Sequence, residues 1–511
     1  MTVTSFSFFL FLAIGMAFYY AFPRLQWIVL LILSGIFYIS AATHYTFAFP
    51  VISTGLAYFS TMAYSRYKDD EGKKKVLLIL TVLAIIGNVV LWFLLKGSSF
   101  WISGSALIRK FIPTFPVLTD LPVVGAMGMA YYTSQVIGYV LDVYWGNTKI
   151  QRNFLKLFLF VIFFPQMTVG PISRYEQLSS LFERHSFKYQ NLCYGAQRIM
   201  WGVFKKIVIS DRVGILVDAI WASERTGFYP WIAVLLYPLQ IYTDFSGCMD
   251  IVIGGAELFD IKLSENFKNP FFSRTSQEFW QRWHITLGTW ARDYIYYPVL
   301  KSRFLQKIGK RTRDKFGKKV GKLIPWTIGM AVLWFIMGFW HGGIQHIFGV
   351  SLWFFAVIVL GELLNPLFCR TNKVLGIHTD SFSWHLFQSV RTYFIYALGA
   401  VFFSAPGLHG ALAHYKVLIS SLTKPNIWIF FDESILEMGV TWVDINIIIF
   451  GVVILIIVGV LREKYGFARN WMREQILPFR WFVWLFLLTI TLVYGLYGPG
   501  YDASIFIYEG F

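Results

Sequence analysis

Residues 76–95 read VLLILTVLAIIGNVVLWFLL and carry no charged side chain. An α-helix needs about 20 such residues to cross a hydrocarbon core of about 30 Å. Runs of the same apolar character lie at 5–22, 27–42, 447–461 and 481–497. The sequence therefore predicts an all-α protein that crosses a membrane several times.

The composition of the whole chain agrees with this prediction. Of its 511 residues, 56% are hydrophobic and only 14% are charged, whereas soluble proteins carry about 25% charged residues. No repeat or low-complexity linker divides the chain, which favours a single integral membrane domain over 1–511. The first apolar run has no basic segment before it and no clear cleavage site after it, so it is predicted to be a retained span.

The distribution of basic residues predicts sidedness. The chain has 45 basic and 28 acidic residues, a formal net charge of +17. Because short cytoplasmic loops of membrane proteins collect Lys and Arg, we attribute this charge to orientation rather than to nucleic-acid binding. Five basic residues lie at 66–75, after three predicted spans at 5–22, 25–42 and 45–65. This order places the N-terminus outside.

The densest basic segment is 301–322, with ten Lys or Arg and one acidic residue. It is predicted to be a cytoplasmic loop that can also contact anionic lipid headgroups. Five further spans are predicted at 324–341, 347–368, 384–404, 441–461 and 478–497. These crossings put the basic segment 462–473 inside, as its charge requires, and the tail 498–511 outside.

The middle of the chain, 146–300, has apolar runs that are interrupted by prolines and polar residues. The prolines are Pro165, Pro171, Pro238 and Pro270. Broken backbone at membrane depth is tolerated where it packs on protein or lines a water-filled cavity. We therefore expect re-entrant or interfacial helices here, and the number of crossings stays open.

Two histidines in apolar settings are candidates for catalysis, because ionisable residues are costly there. His341 follows Trp340 at the end of an apolar run and precedes two glycines. A neutral imidazole suits a general base, although a structural histidine at a helix end is the alternative. The remaining histidines, among them His346, are assigned to loops or helix ends.

His284 lies in EFWQRWHITLGTWARD, residues 278–293, where Trp, Arg and His recur at helical spacing. An interfacial helix with an aromatic belt explains that pattern, and a catalytic role for His284 is the other hypothesis. The candidates for lining a substrate tunnel are Trp340, Trp283, Arg282, Asp244, Arg292 and Asp293.

Asp244, Asp250 and Glu257 are carboxylates in an otherwise apolar stretch. They either neutralise an arginine of the 282–292 segment or line a polar tunnel. The histidines have no HxxxH or HExxH spacing and the three cysteines are scattered, so no metal site is predicted. The sequence contains neither a G-x-S-x-G elbow nor a phosphate-binding loop of the Walker type, which argues against an α/β-hydrolase and an NTP-driven pump.

Several segments together resemble the membrane-bound O-acyltransferases, and within them the bacterial branch that contains the alginate O-acetylation membrane subunit. The similar segments are PVVGAMGMAYYTSQVIGYVLDVY (122–144), FFPQMTVGPISRY (163–175), GVFKKIVISDR (202–212), YTDFSGCMD (242–250), ENFKNP (265–270), residues 278–296, GFWHG (338–342) and residues 497–511. They occur in this order over most of the chain.

The resemblance implies about eleven transmembrane helices, with re-entrant or interfacial helices, around a tunnel through the membrane. It implies that His341 is the catalytic histidine and that His284 is a second residue of the site. It also implies a bacterial inner membrane location. In related systems a terminal F-x-Y-x-x-F pattern presents a tyrosine that carries the acyl group, and Phe506, Tyr508 and Phe511 have that spacing. Glu509 and Gly510 depart from the usual pattern, and an aromatic tail anchored among headgroups is the alternative.

These features predict transfer of an acyl group from a cytosolic thioester, most simply acetyl-CoA as co-substrate, with no bound cofactor. His341 would deprotonate the attacking hydroxyl. The first acyl acceptor would be Tyr508, and the second would be the serine of a secreted or membrane-anchored SGNH-type partner. That partner would acetylate a cell-surface or extracellular polysaccharide. Peptidoglycan O-acetylation and D-alanyl transfer to teichoic acid are alternative reactions. A proton-coupled transporter or flippase and a non-catalytic scaffold are alternatives of another class.

Overall fold

The structure is a computed structural model and is mainly helical in the residues that it describes. These are residues 2–41, 44–96, 109, 112–113, 128–223, 225–342, 344–423, 425–498 and 501. Among them, β pairing is confined to one isolated bridge between Phe267 and Trp283. The prediction of an all-α membrane protein is confirmed.

Six helices in the described part of the chain are long and apolar enough to cross a membrane. They are Glu71–Phe93, Arg303–His341, His346–Val374, Phe382–Ser404, Trp442–Tyr465 and Leu477–Tyr494. All six lie where spans or apolar runs were predicted. Two shorter apolar helices, Phe6–Ala21 and Gln26–Ala41, lie at the first two predicted spans. The total of about eleven spans stays a prediction.

The third predicted span, 45–65, is less apolar than the six. Its helix is Ala48–Tyr67, and the residues that it buries are mainly small or hydroxyl-bearing: Pro50, Ser53, Thr54, Ala57, Ser60 and Thr61. Ser53 hydrogen-bonds Asn88 of the neighbouring helix Lys74–Lys96. Small residues let helices approach closely within a bilayer, so close contact with its neighbours stabilises this helix although it has fewer large apolar side chains. The sidedness that counts it as a span stays a prediction.

The chain divides into two compact units, Met1–Ile199 with Cys248–Glu265, and Met200–Gly247 with Asn266–Phe511. The remaining helices of the first unit are Met129–Trp145, Phe154–Ile162 and Phe164–Met167. Those of the second are Asp211–Ala222, Ser276–Arg282, Ile285–Ala291, Tyr297–Leu300, Leu352–Val374, Gly407–Ser421 and Ala468–Arg473. The boundary falls inside the helices Tyr189–Val203 and Tyr229–Leu258. Three π-helical segments belong to the second unit: Phe204–Ser210, Arg292–Tyr296 and His346–Ser351.

The basic segment 301–322 is helical in the structure, where the sequence predicted a loop. The helix Arg303–His341 contains one non-helical residue, Gly317, with φ 85° and ψ 172°. A Cβ on Gly321 would lie 2.5 Å from the Cβ of Arg313, so the two arms on either side of Gly317 pack against each other. Glycine at 317 allows the reversal because other residues rarely adopt this backbone conformation. The cytoplasmic side of this segment stays a prediction.

The interruption expected at Pro238 does not occur. The helix Tyr229–Leu258 continues through Pro238 for 30 residues, although proline removes one backbone hydrogen bond. Around it, the stretch 146–300 is built from short helices, which is the irregularity that its prolines and polar residues indicated.

Candidate active site

His341 is the last residue of the helix Arg303–His341 and is 5% exposed. Gly342 follows with a φ of 82°, which ends the helix. Three residues earlier, a Cβ on Gly338 would lie 2.2 Å from Ser351 Oγ and 2.7 Å from the His346 carbonyl oxygen. Glycine at 338 therefore lets the π-helical segment His346–Ser351 pack directly on the end of the helix that carries His341.

This close packing brings His346 beside His341. The two imidazole centroids are 5.9 Å apart with 26° between the ring planes. Both rings pack on Phe403, at 5.8 Å from His341 and 5.2 Å from His346. The sequence predicted a loop or a helix end for His346. No spacing rule marked it, because His341 ends one helix and His346 begins the next helical segment.

His284 stands at the N-terminus of the helix Ile285–Ala291, with an unusual φ of 46°. Its Nδ1 lies 3.2 Å from Asn266 Oδ1, which also accepts the Thr286 backbone N–H at 3.1 Å. Because a backbone N–H only donates, the shared Asn266 atom is an acceptor, and Nδ1 of His284 must carry the hydrogen. The lone pair of the neutral ring is then on Nε2.

Burial governs the protonation of His284, which lies outside the six candidate spans. Burial lowers the pKa of His284 to about 3. A positive charge at a helix N-terminus is also disfavoured by the helix dipole. His284 is therefore suited to accept a hydrogen bond as a neutral ring rather than to carry a proton.

Trp340 joins the two histidines that were predicted from the sequence. Its ring centroid lies 5.8 Å from that of His284 and 4.9 Å from that of His341, with both imidazoles near perpendicular to the indole. Trp340 is itself 9% exposed. The structure thus brings together His284, Trp340 and His341 in the second unit.

The neighbouring aromatic candidate, Trp283, has a packing role. It is among the largest fully buried side chains and stacks on Phe279 at 5.5 Å, with Phe267 and Tyr396 also in contact. It supports the segment that carries His284.

The charged candidates of the 282–293 segment pair elsewhere. Arg282 forms ion pairs with Glu278 and Glu463, and Arg292 pairs with the adjacent Asp293. Arg282 is thereby joined to the helix Trp442–Tyr465, which carries Glu463.

The carboxylates of the apolar stretch also have other partners than those expected. Asp250 pairs with Arg198 at 2.9 Å, in the first unit. Asp244 is fully buried and pairs with Lys206 at 2.7 Å, in the second. For Asp244 and Asp250, the expected structural ion pairs thus form with Lys206 and Arg198 of the helical region 189–210, and not with the 282–292 segment that the sequence suggested.

The residue after Asp244 contacts one histidine of the site: Phe245 packs edge-to-face on His284 with ring centroids 4.9 Å apart. Lys206 also pairs with Asp211 at 2.8 Å and is 2% exposed. Lys206 was missed as a candidate, although lysines inside an apolar run carry the same signal that marked His341.

Tyr508 lies outside the described residues. The last described residue before it, Tyr501, donates its hydroxyl to Asp211 Oδ2 at 2.8 Å. The expected role of Tyr508 as an acyl carrier stays a hypothesis.

Comparison with known proteins gives a family match. The family model for MBOAT, the membrane-bound O-acyltransferase family, matches residues 36–312, more than half of the chain. That range includes His284 and ends before His341.

Three named relatives illustrate the range of functions. The chain is 30% identical to probable alginate O-acetylase AlgI of Pseudomonas syringae pv. tomato over 295 residues, which are 58% of this chain and 52% of that protein. It is 27% identical to the peptidoglycan O-acetyltransferase of Helicobacter pylori over 370 residues, 66% of this chain and 64% of the relative. It is 27% identical to the teichoic acid D-alanyltransferase of Bacillus subtilis over 266 residues, which are 48% of this chain and 64% of that protein.

The chain spans about half the length of the Pseudomonas relative that it matches. The family resemblance drawn from the sequence segments is nevertheless confirmed by the family model, which extends over helices of both units. This chain belongs to the membrane-bound O-acyltransferase family.

Proposed function

We propose that this protein is a membrane O-acyltransferase, most simply an O-acetyltransferase, that moves an acyl group from a cytosolic thioester to an acceptor hydroxyl. The observation that carries the proposal is the placement of His284 and His341 against one buried indole, Trp340. Two buried imidazoles so placed are a candidate for proton transfer in a site that excludes water. Family membership supports the reaction class.

We assign the two histidines different roles. His341 ends a long helix, where the negative end of the helix dipole favours a positive charge, so we assign it the role of general base. His284 begins a helix, is held as the Nδ1–H tautomer by Asn266, and stays neutral. Its Nε2 is suited to accept a hydrogen bond from a second donor of the substrates, because the proton of the attacking hydroxyl goes to His341.

In the proposed reaction, His341 removes the proton of the acceptor hydroxyl. The hydroxyl oxygen attacks the thioester carbonyl carbon at the same time. The new C–O bond forms, the C–S bond breaks, and the thiolate leaves with the proton that His341 returns. Acetyl-CoA is the simplest donor, and no bound cofactor is required by this scheme.

We propose Tyr508 as the first acceptor on the extracytoplasmic side. A phenolic ester has a good leaving group and suits a second transfer. The charge distribution supports this side for the tail, because it requires the basic segment 462–473 to be inside. The protein would then lie in the bacterial inner membrane.

The second transfer would go to an SGNH-type partner and from there to a polysaccharide. The name of the Pseudomonas relative favours an alginate-like polymer. Peptidoglycan O-acetylation and D-alanyl transfer to teichoic acid remain alternatives because relatives carry those names.

The test is single-turnover labelling with isotope-labelled acetyl-CoA, followed by peptide mass spectrometry of purified protein. We expect label on Tyr508 in the wild type and its loss in His341→Ala. His378→Ala, which changes an exposed histidine, is the matched control and should label normally. Wild-type labelling in His341→Ala would overturn the assignment of the base.

If the wild type takes up no label, the same protein is incubated with labelled D-alanyl thioester. Transfer from that donor would reassign the acyl group. Failure of both donors, combined with normal polymer acetylation by Tyr508→Phe in cells, would refute the tyrosine relay.

A further inference from the structure

The chain beyond the last long helix is fixed to a π-helical segment of the same unit. The helix ends at Tyr494, whose carbonyl oxygen accepts from the Arg212 guanidinium at 2.8 Å. Two residues on, Leu496 N–H donates to the Ile207 carbonyl oxygen at 2.9 Å. π-Helical segments are frequent at functional sites. This one, Phe204–Ser210, contains Ile207, whose carbonyl oxygen accepts from the chain that follows the last helix.

Glycine at 495 makes this contact possible. A Cβ at Gly495 would lie 2.6 Å from Ile207 Cδ1 and 2.5 Å from the Thr491 carbonyl oxygen. Contacts below 3 Å force a shift of one partner. The backbone of 494–496 is therefore seated on the segment Phe204–Ser210 by close packing as well as by hydrogen bonds.

A third attachment is made by a side chain of the tail. Tyr501 donates its hydroxyl to Oδ2 of Asp211 at 2.8 Å. The other carboxylate oxygen of Asp211 lies 2.8 Å from Lys206 Nζ, which in turn lies 2.7 Å from Asp244. The two oxygens of Asp211 thus divide between a buried lysine and the tail tyrosine.

The charges of this cluster explain why the hydroxyl is needed. One ammonium lies between two carboxylates, with the Lys206 side chain 3% exposed and that of Asp244 0% exposed. A buried carboxylate is stable only when donors satisfy its oxygens. A hydroxyl that donates to a charged carboxylate forms a stronger bond than one between neutral groups.

We propose that Asp211, held by Lys206, is a positioning residue that anchors the C-terminal tail through the Tyr501 hydroxyl. The anchor limits how far the chain after Tyr501 can extend from the unit that carries His284 and His341. This inference rests on the proposed role of Tyr508. Tyr508 is the seventh residue after Tyr501, and such a segment spans at most about 25 Å when extended. Anchoring raises the local concentration of the acceptor.

The first test measures the anchor without using activity. Hydrogen–deuterium exchange is followed in the peptides that cover 495–511 for wild type, Tyr501→Phe and Asp211→Asn in detergent micelles. We expect about tenfold faster exchange or more in both variants, because a hydrogen bond to a charged group is lost. Tyr497→Phe is the matched control: Tyr497 is 55% exposed, and its hydroxyl donates to the Leu492 carbonyl oxygen of the preceding helix.

The second test measures delivery of the acceptor. Single-turnover labelling of Tyr508 from isotope-labelled acetyl-CoA should slow about tenfold in Tyr501→Phe, while the donor concentration for half-maximal rate is unchanged. The labelling rate of the double variant Asp211→Asn with Tyr501→Phe should be no lower than that of Asp211→Asn alone, because both changes act on the same hydrogen bond. Exchange and labelling at wild-type rates in Tyr501→Phe would overturn the anchor.

The two proposals can fail separately. If wild-type Tyr508 takes up no label, the relay fails, and the exchange of 495–511 alone decides the anchor. Faster exchange in Tyr501→Phe then supports anchoring of the tail, and unchanged exchange overturns it.

Discussion

His284 donates its Nδ1–H to Asn266 Oδ1 over 3.2 Å, and this contact fixes the tautomer of a neutral imidazole that is 2% exposed. The same Asn266 oxygen accepts the Thr286 hydroxyl at 2.9 Å. Three donors therefore converge on one oxygen, and Asn266 offers Nδ1 no donor, which the Nε2–H tautomer would need.

The low pKa of His284 in the folded protein should make the free energy of unfolding fall at acidic pH. Burial lowers the pKa of His284 to about 3, whereas an unfolded histidine titrates near about 6.5. Below about pH 6.5 the unfolded chain binds a proton that the folded chain does not, so this residue lowers the free energy of unfolding by about 1.4 kcal/mol per pH unit. Thermal unfolding in detergent between pH 7.5 and 5 measures it.

The comparison variant for this prediction is His284→Gln, which removes the titrating group and keeps a side chain that can donate to Asn266. Its unfolding temperature should depend less steeply on pH than that of the wild type. Equal slopes for the two proteins would contradict the buried neutral histidine.

His346→Gln should slow acyl transfer while leaving the protein folded. The His346 ring lies 5.9 Å from that of His341 and shares Phe403 with it, so it restricts the orientation of the catalytic ring. A displacement of about 1 Å in such a site can cost about 10²-fold in rate. Single-turnover transfer from labelled acetyl-CoA checks this, with the exposed His378→Gln as control; a wild-type rate in His346→Gln would remove this residue from the site.

Gly338→Ala should disturb the same contact through the backbone. Its new Cβ would meet Ser351 Oγ at 2.2 Å and the His346 carbonyl oxygen at 2.7 Å. Overpacking of this kind costs about 1–3 kcal/mol. Gly361→Ala is a matched control in the next helix, because nothing lies within 4 Å of its Cβ. The unfolding temperature should fall for Gly338→Ala alone, and equal values for the two variants would contradict the close packing.

The sequence predicted the features that depend on local composition. Apolar length identified the six long helices, and a costly polar group in an apolar setting identified His284, His341 and Asp244. It did not predict which side chains meet. The partner of Asp244 is Lys206, 38 residues earlier, and that pairing depends on the packing of two helical segments rather than on any spacing within one.

The reversal at Gly317 was missed for a related reason. A dense run of lysine and arginine is compatible with a solvated helix as well as with a loop, and the charge alone does not distinguish them. The position of His346 was missed because the helix that carries His341 ends at that residue and a new helical segment begins at His346, so no spacing within one helix relates the two.

Lys206→Met should be the most destabilising single change in the charged cluster. Lys206 lies between Asp244 at 2.7 Å and Asp211 at 2.8 Å, and its loss leaves two carboxylates in a buried region without their shared ammonium. Breaking a buried ion pair by removing one partner costs about 3–5 kcal/mol. Thermal unfolding followed by size-exclusion chromatography in detergent measures the change.

Removing Asp244 as well should recover much of that loss. The double variant Lys206→Met with Asp244→Leu has no buried charge at residue 244, and apolar replacement of a buried ion pair is often close to neutral. Lys74→Met, which breaks a pair with Glu71 whose side chains are 61% and 83% exposed, is the surface control and should change stability little. If the unfolding temperature of the double variant is no higher than that of Lys206→Met, Lys206 stabilises the fold through its other contacts rather than through Asp244.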